Sequence, residues 1–166
     1  RLDAMIHFTD WLPTLLAAAG GAVEPVNPLD GIDVLPVLRG ERGQVAAERF
    51  WQWNRYTPVG ECNAAMRDGR WKLVRPAIGA LMEVAPADLA MDVDAKFNPD
   101  KYADVARDPE PERAAYEVPP AQLFDLDADP LEQNDLAAAE PGRVARMERA
   151  LAAWFEEVER DRRSAH

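Results

Sequence analysis

The feature that most constrains this chain is one pair of residues, Asp68-Gly69, set between two short runs with strand character. Residues 63–67 precede the pair and residues 70–74 follow it. An Asp-Gly pair in that setting favours a two-residue type I′ hairpin turn, so this stretch is expected to form antiparallel sheet. The aromatic-rich run 49–53 reads as another strand. Residues 123–126 read as a short further one, because the turn-rich segment 127–130 follows at once.

Helical periodicity flanks these strands. Met5, Phe8, Leu12, Leu15, Leu16 and Ala19 recur at spacings of three and four, which suits an amphipathic helix. Pro13 would break such a helix in its middle, so its start is expected near His7 or Thr9, and Gly20-Gly21 supply the stop. A Pro-marked loop over 23–29 leads to Asp30-Gly31. A helical piece over 34–38 follows, with Asp33 as its N-cap and Gly40 at its end. At the other end Val144, Met147, Leu151, Trp154 and Val158 form one apolar stripe on a long helix opened by Pro141. Glu156–Arg160 and Glu159–Arg163 add acid-before-base pairs along it.

Between the strands lies a different kind of sequence. Residues 76–120 hold seven of the 14 prolines, and residues 83–112 carry nine acids against three bases. That run supplies more than half of the chain's net charge of −11. It reads as a solvated surface insertion or, since long ordered loops tend to be functional, as a lid or rim. A chain this acidic repels phosphate backbones and anionic headgroups, so nucleic acid and membrane surfaces are not expected partners. The longest apolar run, 15–19, is far too short to span a bilayer. The first residue is Arg1, and the sequence reads as a fragment or processed product.

The search for chemistry returns little. Cys62 is the one cysteine, and His7 and His166 are the two histidines, so neither a disulfide nor a Cys- or His-rich metal site is expected. Asp125, Asp127 and Asp129 have calcium-loop spacing, but Pro130 and Leu136 stand where that loop needs Gly and Glu; an Asp-Pro turn is the better reading. Cys62 reads as a structural thiol rather than a nucleophile. No phosphate-binding Gly-rich loop, G-x-S-x-G elbow or H-E-x-x-H pair occurs. The chain holds no catalytic set and no metal set of its own. What stands out is an aromatic and basic cluster, Trp51, Trp53, Arg55 and Tyr56, which fits either core packing or a rim that stacks on a ring while Arg55 pairs with an anion.

Four segments together resemble the sulfatases. Asp10-Trp11-Leu12-Pro13-Thr14-Leu15-Leu16, running on to Gly20, is similar to their D-x-x-P-T-L-L…A-G helix. Leu29-Asp30-Gly31 through Leu38 resembles the D-G-x-S-L-L-P-L-L segment that follows it. Arg67-Asp68-Gly69-Arg70-Trp71-Lys72-Leu73 is similar to the R-x-G-x-W-K-L hairpin. Leu123-Phe124-Asp125-Leu126, with Asp129-Pro130, Glu132 and Asn134, resembles L-Y-D-L-x-x-D-P-x-E-x-x-N-L. The four come in the family's order and are spread along the chain on both sides of 76–120.

The resemblance implies an α/β fold of the alkaline-phosphatase superfamily, α+β within this fragment. Residues 1–44 would be the last helices of a large α/β catalytic domain. Residues 45–166 would be a smaller C-terminal subdomain, an antiparallel sheet packed by the final helix, with the insertion at 76–120. It implies a parent enzyme that hydrolyses sulfate esters with calcium and a formylglycine. That formylglycine derives from a C/S-x-P-S/A-R motif, and Cys62, followed by Asn63-Ala64-Ala65-Met66, does not match it. No catalytic or metal residue is therefore carried over, and no cofactor is expected in this fragment itself, which is expected to be inactive alone. Its expected partners are the upstream sulfatase catalytic domain and a small-molecule sulfate ester. Its expected role is to support the site and border the substrate cleft, with Trp53, Arg55, Tyr56 and Arg75 as rim candidates. Two alternatives stand beside this: a phosphoester or phosphonate-ester hydrolase of the same superfamily, and a non-catalytic module whose acidic 83–112 loop binds a basic partner.

Overall fold

The computed structural model describes residues 2–21, 29–43, 48–102 and 112–164. The expected loop over 23–29, the boundary at 44–45 and residues 103–111 of the acidic run lie wholly or largely outside the described residues. The chain divides into two compact units, Arg1–Arg49 with Arg67–Arg70, and Phe50–Met66 with Trp71–His166.

In the first unit a 3-10 turn, Phe8–Asp10, runs into helix α1, Trp11–Ala18, and a short helix α2, Leu35–Leu38, follows. The start is set by His7, whose ring accepts the Thr9 amide while the Asp10 carboxylate accepts the His7 amide. Reciprocal capping of this kind satisfies donors that a helix start leaves open. Gly20 ends the helix at φ +72°, the left-handed conformation that glycine adopts without strain. Asp33 accepts the Leu35 amide at 2.8 Å, but the N-cap position falls on Val34, one residue later than the sequence suggests, because the helix begins at Leu35 rather than Val34; Gly40 follows its end at φ +75°.

The residues that this unit buries from the helix are polar. Asp10 and Thr14 are fully buried, whereas Phe8 is 73% exposed and Leu12 and Leu15 are also exposed. Thr14 Oγ1 donates to Asp10 O at 2.6 Å and accepts the Val34 amide at 2.9 Å. Asp10 Oδ1 accepts the Ile32 amide at 3.0 Å, and both Asp10 oxygens receive Arg49 Nη2 at 2.9 and 3.0 Å. Gly31 makes this docking possible, since a Cβ there would lie 2.0 Å from Thr9 O.

The sheet is four-stranded, in the order β1 (Glu48–Gln52), β2 (Ala64–Asp68), β3 (Trp71–Arg75), β4 (Gln122–Asp125). Strands β3 and β4 are antiparallel, with Leu73 opposite Leu123 and Lys72 opposite Phe124. The hairpin lies where Asp68-Gly69 puts it, with a different turn. Asp68 ends β2, the connection is Gly69-Arg70, and of these only Gly69 has positive φ, at +56°. Positive φ at the first central residue alone is the type II′ pattern rather than I′. Both strands lie one residue later than expected, which drops the glycine into the position where II′ requires it.

Helix α5, Pro141–Ser164, packs on the sheet. Met147 and Leu151 are buried with Ala64, Met66, Leu73 and Leu123, and Phe50 stacks on Trp154 at 5.4 Å between centroids. The expected stripe fails at its last member. Val158 is 40% exposed, and Glu159 takes the buried position beside it. Glu159 accepts two hydrogen bonds from Arg162 at 2.8 Å, with Arg163 at 3.7 Å, so its charge is compensated.

The insertion contains helices that periodicity did not announce: α3, Gly79–Met82, and α4, Pro86–Ala95, then a 3-10 turn, Pro99–Tyr102. Ile78 and Leu81 are buried with Cys62, forming a second small core. Among the described residues, no helix is long and apolar enough to cross a membrane.

Candidate substrate rim

Three of the rim candidates, Trp53, Arg55 and Tyr56, sit on the loop that leaves β1, and the fourth, Arg75, ends β3. The keystone of the loop is Asn54, buried at its base. Asn54 Nδ2 donates to Arg55 O at 2.6 Å and Thr57 O at 2.9 Å, while Oδ1 accepts the Val59 amide at 2.8 Å and Gln52 Nε2. Two donors and two acceptor positions exhaust what an amide side chain offers. Asn63 holds the entry to the loop, its side chain and carbonyl bonding Trp53 O and N at 2.8 and 3.2 Å.

On this base, Trp53 and Arg55 come together at the surface. The Arg55 guanidinium carbon lies 4.8 Å from the Trp53 ring centroid, and Trp53 is 50% exposed. At an exposed site such a cation–π contact contributes about 0.5–1 kcal/mol and leaves the guanidinium donors open to solvent or ligand. The other two candidates are engaged differently. Tyr56 has φ +56°, and its hydroxyl donates to Asp88 and accepts the Ala85 amide at 3.0 Å. The hydrogen bond to Asp88 raises the phenol above its usual pKa near 10. Arg75 lies beneath the loop, its Nη1 donating to Gly60 O at 2.8 Å and its Nε 4.0 Å from Glu148. Gly60 cannot carry a side chain easily, since a Cβ would meet the Phe155 ring at 2.8 Å.

Residues that attract a chemical reading elsewhere have structural partners. Cys62 is buried, its sulfur 3.3 Å from the Ile78 amide that donates to it. Asp125 Oδ1 accepts the Asp127 amide at 3.2 Å, and Asp129 Oδ2 accepts the Asn134 amide at 2.7 Å. Lys72 binds both oxygens of Glu132 at 2.6 and 2.8 Å, joining two of the four family-like segments. Among the described residues, no three His, Cys, Asp or Glu side chains are grouped to hold a metal ion. The described residues thus do not fit a calcium site, and Cys62 with Asn63-Ala64-Ala65-Met66 does not fit a formylglycine precursor.

No protein-family model matches the chain. Among curated proteins it is 30% identical over 159 residues to choline-sulfatase of Rhizobium meliloti (strain 1021), covering 95% of this chain and 21% of that protein. It is 27% identical over 168 residues to mouse (Mus musculus) arylsulfatase J, covering 89% of this chain and 25% of that protein. The chain therefore spans a quarter or less of the length of these relatives. Among solved structures, a protein of the Bacteroides thetaiotaomicron locus for metabolism of multiple glycosaminoglycans superposes with a TM-score of 0.48 at 22% identity, covering 90% of this chain and 24% of that one. A protein solved with its substrate D-glucosamine-2-N,6-O-disulfate gives a TM-score of 0.44 at 19% identity, covering 91% and 23%.

Proposed function

We propose, on the premise that this chain is related to the sulfatases, that it is the C-terminal part of a sulfuric-ester hydrolase and borders the substrate cleft of the longer enzyme. The observation that carries this is the alignment with two sulfatases along about nine-tenths of the chain or more. In this reading residues 1–44 close the large α/β domain, and residues 45–166 form the smaller subdomain. The upstream catalytic domain is its partner, and a small sulfate ester is the substrate. Calcium and formylglycine belong to the longer enzyme's remaining residues.

This segment contributes recognition. A sulfate ester offers a fixed anion and an organic group. Arg55 carries N–H donors suited to the anion, and the Trp53 ring beside it offers a face for the organic group. In the full-length enzyme Arg55→Ala is expected to raise KM by an amount worth about 1–3 kcal/mol. Unchanged KM across a panel of aryl and sugar sulfates, with a lowered Tm, would assign Arg55 to the scaffold. The isolated chain is expected to leave p-nitrophenyl sulfate untouched in the presence of calcium. Turnover above buffer that survives Cys62→Ala would place catalysis within these residues and overturn the reading.

A further inference from the structure

Five hydrogen bonds join the insertion to three consecutive loop residues. The Arg55 amide donates to Leu81 O at 3.1 Å. The Tyr56 hydroxyl is held between the Ala85 amide and the Asp88 carboxylate. From the far side of the insertion, Arg113 Nη2 donates to Arg55 O at 3.1 Å and Thr57 O at 2.8 Å. Arg113 thus grips the same two carbonyls that Asn54 holds from below.

These contacts matter because the loop adopts a conformation it would not choose unaided. Tyr56 sits at φ +56°, a left-handed geometry unfavourable for a bulky residue with a Cβ. Such a conformation persists only where the surroundings over-determine it. The carbonyls on either side of Tyr56 and its own hydroxyl are the groups that the insertion binds.

We propose that the insertion is a brace: Leu81, Ala85, Asp88 and Arg113 fix residues 55–57 and so position Arg55 for anion recognition. The claim rests on the rim reading above and adds its positioning residues. Tyr56 then acts through its hydroxyl as a strut, and Arg113 acts through the backbone of Arg55 and Thr57. Neither is a catalytic residue.

The test uses the full-length protein and two readouts, hydrogen exchange over residues 55–57 and KM for p-nitrophenyl sulfate. Arg113→Met and Tyr56→Phe are expected to speed exchange there and to raise KM roughly tenfold, with kcat little changed. Arg113→Lys should recover part of both effects, because it keeps the cation but not the fork. Asp88→Asn serves the same purpose should Arg113→Met fail to fold. Exchange at 55–57 that stays at the wild-type rate overturns the brace. So does faster exchange with unchanged KM in an enzyme whose KM responds to Arg55→Ala. An enzyme whose KM ignores Arg55→Ala loses the rim reading instead, a failure that this control separates from failure of the brace.

Discussion

Asp10 shows how one residue can carry a local architecture. It is fully buried, yet its carboxylate accepts two backbone amides and both bonds from Arg49 Nη2. Burial pushes its pKa up, but the Ile32 and His7 amides and Arg49 outweigh burial and hold it below the usual 3.8. Unfolding therefore raises this pKa, and between the two values the unfolded chain holds a proton that the folded chain lacks. Stability rises with pH through that window. Asp10's contribution should be complete above about pH 4 and vanish as acidification passes its folded pKa. Removing one partner of a buried pair costs about 3–5 kcal/mol, so Asp10→Ala should lower stability by that order at neutral pH. It should also flatten the acid limb of a denaturation series, and an acid limb identical to wild type would contradict this account. The sequence showed Asp10 only as part of a family-like segment, because its partners at 32 and 49 are distant in the chain. The Trp53–Arg55 contact was legible for the opposite reason, its residues being two apart. Asn54 and Arg113 were missed, since Arg113 reaches its acceptors across 56 and 58 positions.

Among the elements, the hairpin and the last helix were the most readable, each announced by a local signal with one physical meaning. The misreadings are equally local. The turn type shifted because both strands lie one residue later than expected, and the helix stripe turned at Glu159 because two arginines on the same helix could neutralise it. Helix α4 escaped because it buries none of its residues, so no apolar stripe exists for periodicity to find. It is tied to the loop after β1 by the Asp88–Tyr56 hydrogen bond and to the following 3-10 turn by Asp94, contacts that composition cannot show. For α5, burial predicts a steep contrast along one stripe. Leu151→Ala should cost about 2–5 kcal/mol, because Leu151 is fully buried among sheet residues. Val158→Ala should cost well under 1 kcal/mol at its half-exposed position. Urea denaturation of both variants checks this; equal losses would mean that the helix packs in another register.

At the scale of the whole molecule, two facts belong together. The chain spans a quarter or less of its curated relatives, and it exposes Phe8, Trp11, Leu12 and Leu15 around α1. Exposed apolar residues grouped on one helix favour association in water. The isolated chain should therefore sediment above its monomer mass at tens of micromolar, and Leu15→Glu should shift it toward monomer. A wild-type monomer throughout that range would contradict the expectation. The most direct test of the central claim is a side-by-side measurement of kcat/KM for the full-length enzyme on p-nitrophenyl sulfate and p-nitrophenyl phosphate. The account predicts efficient turnover of the sulfate and a much lower value for the phosphate; efficient phosphate turnover with the sulfate left intact would contradict it.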